Sequence, residues 1–136
     1  MLLNLRDLYR RGIGDSLTKS AQAIVEASRA PNDAEWDVFL SHSSVDKRAL
    51  PAVVERLRLE GLSVYVDSVA DSDLTPANVN QATAIRLRGR ILHCRSLFVL
   101  TSQSITASRW IPWELGVADG AGKRVAVLPL QYGEDR

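Results

Sequence analysis

The sequence predicts an α/β protein built on a parallel sheet of at least four strands, and three observations lead there. Four short runs rich in Val, Leu and aromatics, at residues 36–41, 62–67, 96–101 and 124–130, are nearly continuously apolar. That is the pattern of strands covered on both faces, whereas a strand with one face in water alternates. The intervals between the runs are each long enough for a helix, which a crossover between parallel strands needs and a hairpin does not. The chain, at 136 residues and 46% hydrophobic, can bury one sizeable core and is too short for two. The element order from the first run onward is βαβαβαβ.

Each element has its own signal. Residues 1–34 read as an N-terminal helical extension: Leu2, Leu5 and Leu8, then Leu17, Ala21 and Ile24 beyond Gly12 and Gly14, are spaced for one broken helix or two short ones. Pro31, Asn32 and Asp33 make residues 30–35 a linker into the first strand. Between the first two strands, Leu50, Val53, Val54 and Leu57 lie on one helical stripe, with Ser43 or Ser44 as N-cap and Gly61 as the stop. Residues 67–76 are polar and punctuated; residues 78–93 then carry Val79, Ala82, Ile85 and Leu92 at helical spacing. Between the third and fourth strands Ser108 can cap a helix whose core stripe is Ile111, Leu115 and Ala118, ended by Gly120 and Gly122. Pro112 is tolerable there because it sits near the first turn.

Charge and cysteine content exclude more than they name. With 17 basic and 16 acidic residues scattered along the chain, there is no stripe of like charge suited to nucleic acid or a membrane surface. Arg86, Arg88, Arg90 and Arg95 cluster around the second helix and read as a solvated face. The single cysteine, Cys94, cannot form an internal disulfide and has no metal-ligand spacing, so it reads as a small buried hydrophobe in a cytoplasmic protein. Residues 1–8 lack the apolar core of a signal peptide, and no run approaches the ~20 apolar residues of a membrane helix.

In an open parallel sheet every loop from strand to helix lies at the carboxyl edge, and ligands bind there near the point where strand order reverses. The topology therefore gathers the loops at residues 41–47, 67–78 and 102–114. These loops deliver helix N-termini, whose free N–H groups suit phosphate. They also carry Ser41, His42, Ser43, Ser44, Asp46, Asp67, Ser68, Asp71, Asp73, Arg109, Trp110 and Glu114. Hydroxyls, carboxylates and an indole can bind a sugar and stack a flat heterocycle. No Ser-His-Asp triad, calcium loop or G-x-G-x-x-G motif is defensible among them.

Trp110 and Glu114 are four apart on the third helix and so share a face, offset from the core stripe at its margin. Glu114 falls near the helix N-terminus, where the macrodipole favours an ionised carboxylate by ~0.3–1 kcal/mol. A fixed negative charge beside an aromatic wall is suited to a reaction that develops positive charge on a ribose carbon, as loss of nicotinamide from NAD does. The bland alternatives are an ordinary first-turn carboxylate for Glu114, a core-edge aromatic for Trp110 and a locally bonded loop residue for His42. Trp113 reads as packing against the sheet.

Trp36-Asp37-Val38-Phe39-Leu40-Ser41-His42-Ser43, the acidic Asp46, Gly61-Leu62-Ser63-Val64-Tyr65-Val66-Asp67 and Ser108-Arg109-Trp110-Ile111-Pro112-Trp113-Glu114-Leu115 together resemble the successive boxes of Toll/interleukin receptor (TIR) domains. The resemblance implies a flavodoxin-like three-layer fold, with residues 35–136 as the TIR domain. In the NAD-consuming bacterial branch it implies an NADase, with possible ADP-ribosyl cyclase chemistry, in antiphage immune signalling. It puts the catalytic role on Glu114, with Trp110, Ser41, His42, Ser43, Asp67 and Ser68 binding substrate. NAD+ is then substrate, no separate cofactor or metal is required, and neither nucleic acid nor membrane is a partner. It further implies self-association through TIR surfaces and the 67–78 loop, and a downstream effector reached through the nucleotide product. Many TIR domains are instead assembly adaptors without chemistry, and that remains the alternative. Such domains usually continue past the fourth strand into another helix and a fifth strand, whereas this chain ends six residues after Leu130. Either the domain is cut short or the edge beside that strand is built differently.

Overall fold

The computed structural model of the protein describes residues 3–4, 14–66, 81–102 and 111–131. Its sheet contains β1 (Leu3–Asn4), β2 (Trp36–Ser41), β3 (Val64–Tyr65), β4 (Cys94–Thr101) and β5 (Arg124–Gln131), in the order β1-β5-β4-β2-β3. All neighbouring pairs are parallel, as the apolar runs predict. The helices are α1 (Gly14–Ser28), α2 (Leu50–Leu59), α3 (Gln81–Leu92) and α4 (Ile111–Gly120). A 3-10 turn, Ser44–Ala49, leads directly into α2.

Period-two alternation along the strands separates two apolar layers. On one side Val38, Leu40 and Leu100 meet Leu50, Val53, Val54 and Leu57, the stripe expected of α2. On the other, Phe39, Leu97 and Val99 meet Leu87 and Ile91 of α3 and Ile111 and Ala118 of α4, with Trp113 packed against them. The result is the three-layer α/β arrangement that the sequence predicts.

Helix ends follow the glycines. Past α2, Gly61 takes a φ of 86°, and past α4, Gly122 takes 74°. Leu62 N–H donates to the Leu57 carbonyl and Lys123 N–H to the Ala118 carbonyl, which satisfies carbonyls that a helix end leaves orphaned. Pro112 stands in the first turn of α4, where the missing N–H costs no internal bond.

Several expectations need correction. Leu3–Asn4, within the expected N-terminal helical pattern, is a strand paired with Leu130 and Gln131 of β5. It occupies the position beside the fourth predicted strand where the resemblance calls for a fifth. The second predicted strand is shorter than residues 62–67, since only Val64–Tyr65 pairs among the described residues. Helix α2 is not capped by a serine side chain: Ser43 heads the preceding 3-10 turn without a side-chain cap bond. The proposed Ser108 cap lies outside the described residues. On α3, Ala82 and Ile85 of the expected stripe are exposed, Ile85 to 63%, and Leu92 is half-buried, while Leu87 and Ile91 are buried; Val79 lies outside the described residues. Strand β5 is not covered on both faces, because Val125 and Val127 remain 41% and 54% exposed.

Arg90 leaves the expected solvated face altogether. It is buried, with its guanidinium carbon 4.7 Å from the Tyr65 ring centroid. Its Nη1 donates to the Pro31 carbonyl at 2.9 Å and its Nη2 to the Ala30 carbonyl at 2.8 Å. A buried guanidinium needs such partners, and here they fasten α3 to the linker that ends α1. Helix α1 in turn packs along α2 and beside β3, so the edge strand does not face water bare. Cys94 is a buried free thiol as expected, its pKa pushed up to about 12 by burial.

At the amino edge of the sheet, Asp37 and Ser63 bond reciprocally. Ser63 N–H donates to Asp37 Oδ2 at 2.9 Å, and Asp37 N–H donates to Ser63 Oγ at 2.9 Å. The Ser63 backbone bond chiefly holds the Asp37 carboxyl below its ordinary range; slight burial opposes this, and the Ser63 hydroxyl and Arg95 assist.

Two predictions follow from this packing. Ile85→Lys should change unfolding free energy by no more than ~0.5 kcal/mol, while Leu87→Ala should cost ~2–5 kcal/mol. Urea denaturation measures both, and a larger loss at Ile85 than at Leu87 would reverse the helix's inward face. For Asp37, the folded pKa lies below the unfolded value of ~3.9. Its contribution is therefore complete above that value and is lost as pH falls through the lowered folded one. Asp37→Asn should flatten the acid limb of the stability curve, and urea midpoints that track the parent at every acidic pH would refute the assignment.

Candidate functional site

The strand order places the reversal of chain direction between β2 and β4. From β2 the chain moves outward to β3, returns across β2 to β4, and continues to β5 and away. Loops leaving β2 and β4 thus diverge over the same gap, the place where parallel sheets open a crevice. Side-chain hydrogen bonds between described residues cross that gap.

The first joins Ser41 to Glu114. Ser41 ends β2, and alternation puts its side chain on the same face as Phe39, the face that α4 covers. Glu114 lies in the first turn of α4. Ser41 Oγ donates to Glu114 Oε1 at 2.5 Å, and both residues are buried, at 1% and 6% exposure. The margin of the core expected for Glu114 is therefore an interior position at the carboxyl edge. A carboxyl group withdrawn from water there depends on its donors and on the N-terminal dipole of α4.

The second joins Asp46 to Ser102. Asp46 lies in the 3-10 turn after β2 and is fully buried. Ser102, just past β4, donates its hydroxyl toward Asp46 Oδ1 and Oδ2 at 2.8 and 2.9 Å.

Of the residues picked out in the sequence, Ser41 and Glu114 are brought together directly. Ser43 is buried at the head of the 3-10 turn, its carbonyl accepting the Asp46 N–H at 3.0 Å, and His42 beside it is half-buried. Trp110, Asp67 and Ser68 lie outside the described residues, as do Arg109, Asp71, Asp73 and the whole 67–78 loop. Sequence reasoning passed over the Asp46–Ser102 pair as a contact. An acidic residue in a first turn is the ordinary complement to a helix dipole, and nothing local links it to a serine 56 residues on. Among the described residues no three His, Cys, Asp or Glu side chains gather as a metal ion requires. None of the described helices is long and apolar enough to cross a membrane.

The sequence model of the TIR domain family matches residues 38–136. The chain belongs to the TIR domain family. This TIR domain is 42% identical, over 95 residues, to a Bacillus cereus (strain MSX-D12) protein named a 3' cyclic ADP-D-ribose synthase, ThsB'. That alignment covers 70% of this chain and 49% of the relative. A Cytobacillus dafuensis protein named a cyclic ADP-D-ribose synthase, TIR2, is 25% identical over 107 residues, covering 78% of this chain and 28% of its own length. The chain thus spans about half or less of the curated relatives it matches.

If Ser41 holds the Glu114 carboxylate as the geometry indicates, Ser41→Ala should cost ~1–3 kcal/mol in urea unfolding, the penalty of removing one partner from a buried polar group. A double-mutant cycle with Glu114→Gln should return a coupling of ~0.5–3 kcal/mol. Strict additivity would show that the two side chains act separately.

Proposed function

We propose that this TIR domain cleaves the nicotinamide–ribose bond of NAD+, with Glu114 as the catalytic carboxylate and a cyclic ADP-ribose as the product class. The observation that carries the proposal is Glu114 itself. It is a buried carboxylate in a first helical turn, held by Ser41 at the carboxyl edge where the strand order reverses. The 42% identity to a protein named for synthesis of 3' cyclic ADP-D-ribose supports the same chemistry.

In this reaction the C1'–N bond breaks with its electron pair going to the pyridinium ring, so nicotinamide leaves neutral and needs no acid. The ribose acquires oxocarbenium character, which a fixed negative charge stabilises. Attack by water would give ADP-ribose and a proton. Attack by a hydroxyl of the same molecule would give a cyclic product and a proton, and exclusion of water favours that course. Ser41 keeps its proton, donates the O–H as a hydrogen bond to Glu114, and retains oxygen lone pairs that can accept from a ribose hydroxyl. His42 and Ser43 would serve the ribose and phosphates from the same loop, with Trp110, Asp67 and Ser68 completing the site. NAD+ enters as substrate and requires no further cofactor.

On this reading the protein acts in bacterial defence within the cytoplasm. TIR surfaces and the 67–78 loop join copies, and the nucleotide product addresses an effector. The adaptor alternative predicts no turnover.

Concentrated protein incubated with NAD+ should release nicotinamide, with the nucleotide product identified by mass. Glu114→Gln, which keeps the shape and removes the charge, should lower the rate by at least ~10²-fold. Undiminished release by that variant would overturn the mechanism; no release by the parent, even when crowded into assemblies, would favour an adaptor.

A further inference from the structure

We infer that residues 1–29 are the strand and helix that complete this sheet, carried at the front of the chain. The domain is then a circular permutation of the doubly wound order, and its first segment is a folding element, not a docking arm.

Counted from β2, the described sheet reads 2-1-3-4 with β1 as a fifth strand at the β5 margin. That is the flavodoxin-like order 2-1-3-4-5, in which the fifth strand comes last in the chain. Here it comes first. It is parallel to β5, with Leu3 opposite Leu130 and Asn4 opposite Gln131.

Handedness tests the assignment independently, because a crossover between parallel strands of one sheet is right-handed. The step from β2 to β3 leads toward the β3 margin, and its helix α2 lies on the face of Val38 and Leu40. The steps from β3 to β4 and from β4 to β5 lead the other way, and α3 and α4 lie on the face of Phe39. The step from β1 to β2 leads toward the β3 margin again, so its helix belongs beside α2. Helix α1 does pack along α2, with Ile24 against the same apolar layer. An arm appended to a finished domain has no reason to follow this rule.

The same rule accounts for the bare valines of β5. A crossover from β5 to β1 would lead away from the β3 margin and cover the Phe39 face. With β1 ahead of β2 in the chain, no such crossover joins the two strands. Val125 and Val127, opposite Leu97 and Val99 on that face, are 41% and 54% exposed.

The test rearranges the full chain. A permutant runs from 30 to 136, through a Gly/Ser linker of about a dozen residues, the least that a parallel crossover takes, and then from 1 to 29. This order keeps the Ala30 and Pro31 carbonyls beside Arg90. The permutant should unfold in urea in one transition with the parent's slope, which reports the surface exposed on unfolding. The chain cut to 30–136 should lose the cooperative transition. Asn4→Cys with Gln131→Cys, partners in register, should be joined by a short bismaleimide in both parent and permutant; Cys94 is buried and does not compete. A cut chain that unfolds cooperatively at the parent's midpoint would overturn the inference and make residues 1–29 an appended arm. So would a permutant that stays unfolded even when its linker is doubled, or a parent in which the two cysteines are not joined.

Discussion

Pairing of β2 with β4, in parallel and in register from Trp36 opposite Cys94 to Ser41 opposite Val99, is the constraint from which the remainder of this structure follows. A parallel neighbour cannot be reached by a tight turn, so each strand has to be followed by a crossover. The crossovers supply the helices that cover the sheet. Because β3 is laid down on one side of β2 and β4 on the other, the segments after β2 and β4 part company over a gap. The buried pairs Ser41–Glu114 and Asp46–Ser102 lie across that gap.

The same constraint explains why the polar interior is placed where it is. Away from the carboxyl edge the two layers are mostly aliphatic and aromatic, with Ser20, Glu55 and Arg90 as further buried polar residues. Ser41, Ser43, Asp46 and Glu114 are buried at the carboxyl edge, where strands stop supplying backbone partners and helix N-termini begin. Each carboxyl group is answered by a hydroxyl from the opposite segment. Such a polar cluster does little for stability compared with an apolar filling, but it prescribes one geometry, and a site that stabilises developing charge benefits from groups already in position.

The segment ahead of the TIR match binds both margins of the sheet. Leu3–Asn4 pairs with β5 at one margin, while α1 lies beside β3 at the other. Ala27 of α1 enters one apolar layer and Ile24 packs against the other. Arg90 then ties the linker after α1 to α3. Covering open edges in this way limits unwanted strand pairing, and it makes residues 14–35 part of the same packed body as the TIR domain.

What the sequence alone determined was whatever is written in local pattern. Apolar runs gave the strands of the parallel sheet, Gly61 and Gly122 marked helix ends because only a residue without Cβ enters the left-handed region freely, and the spacing around Glu114 put it in a first turn. The tertiary structure decided what local pattern leaves degenerate. On α3, Ala82, Ile85 and Leu92 are spaced as well for a helix as Ala84, Leu87 and Ile91, and only the sheet beneath selects the second set. Residues 3–4 became a strand because β5 offered an unpaired edge, and Arg90 was buried because Tyr65 and two carbonyls were waiting for it. The bonds from Ser41 to Glu114 and from Asp46 to Ser102 span 73 and 56 residues; hydrogen bonds at that separation leave no periodic trace in a chain, since their partners meet only after the strands have paired.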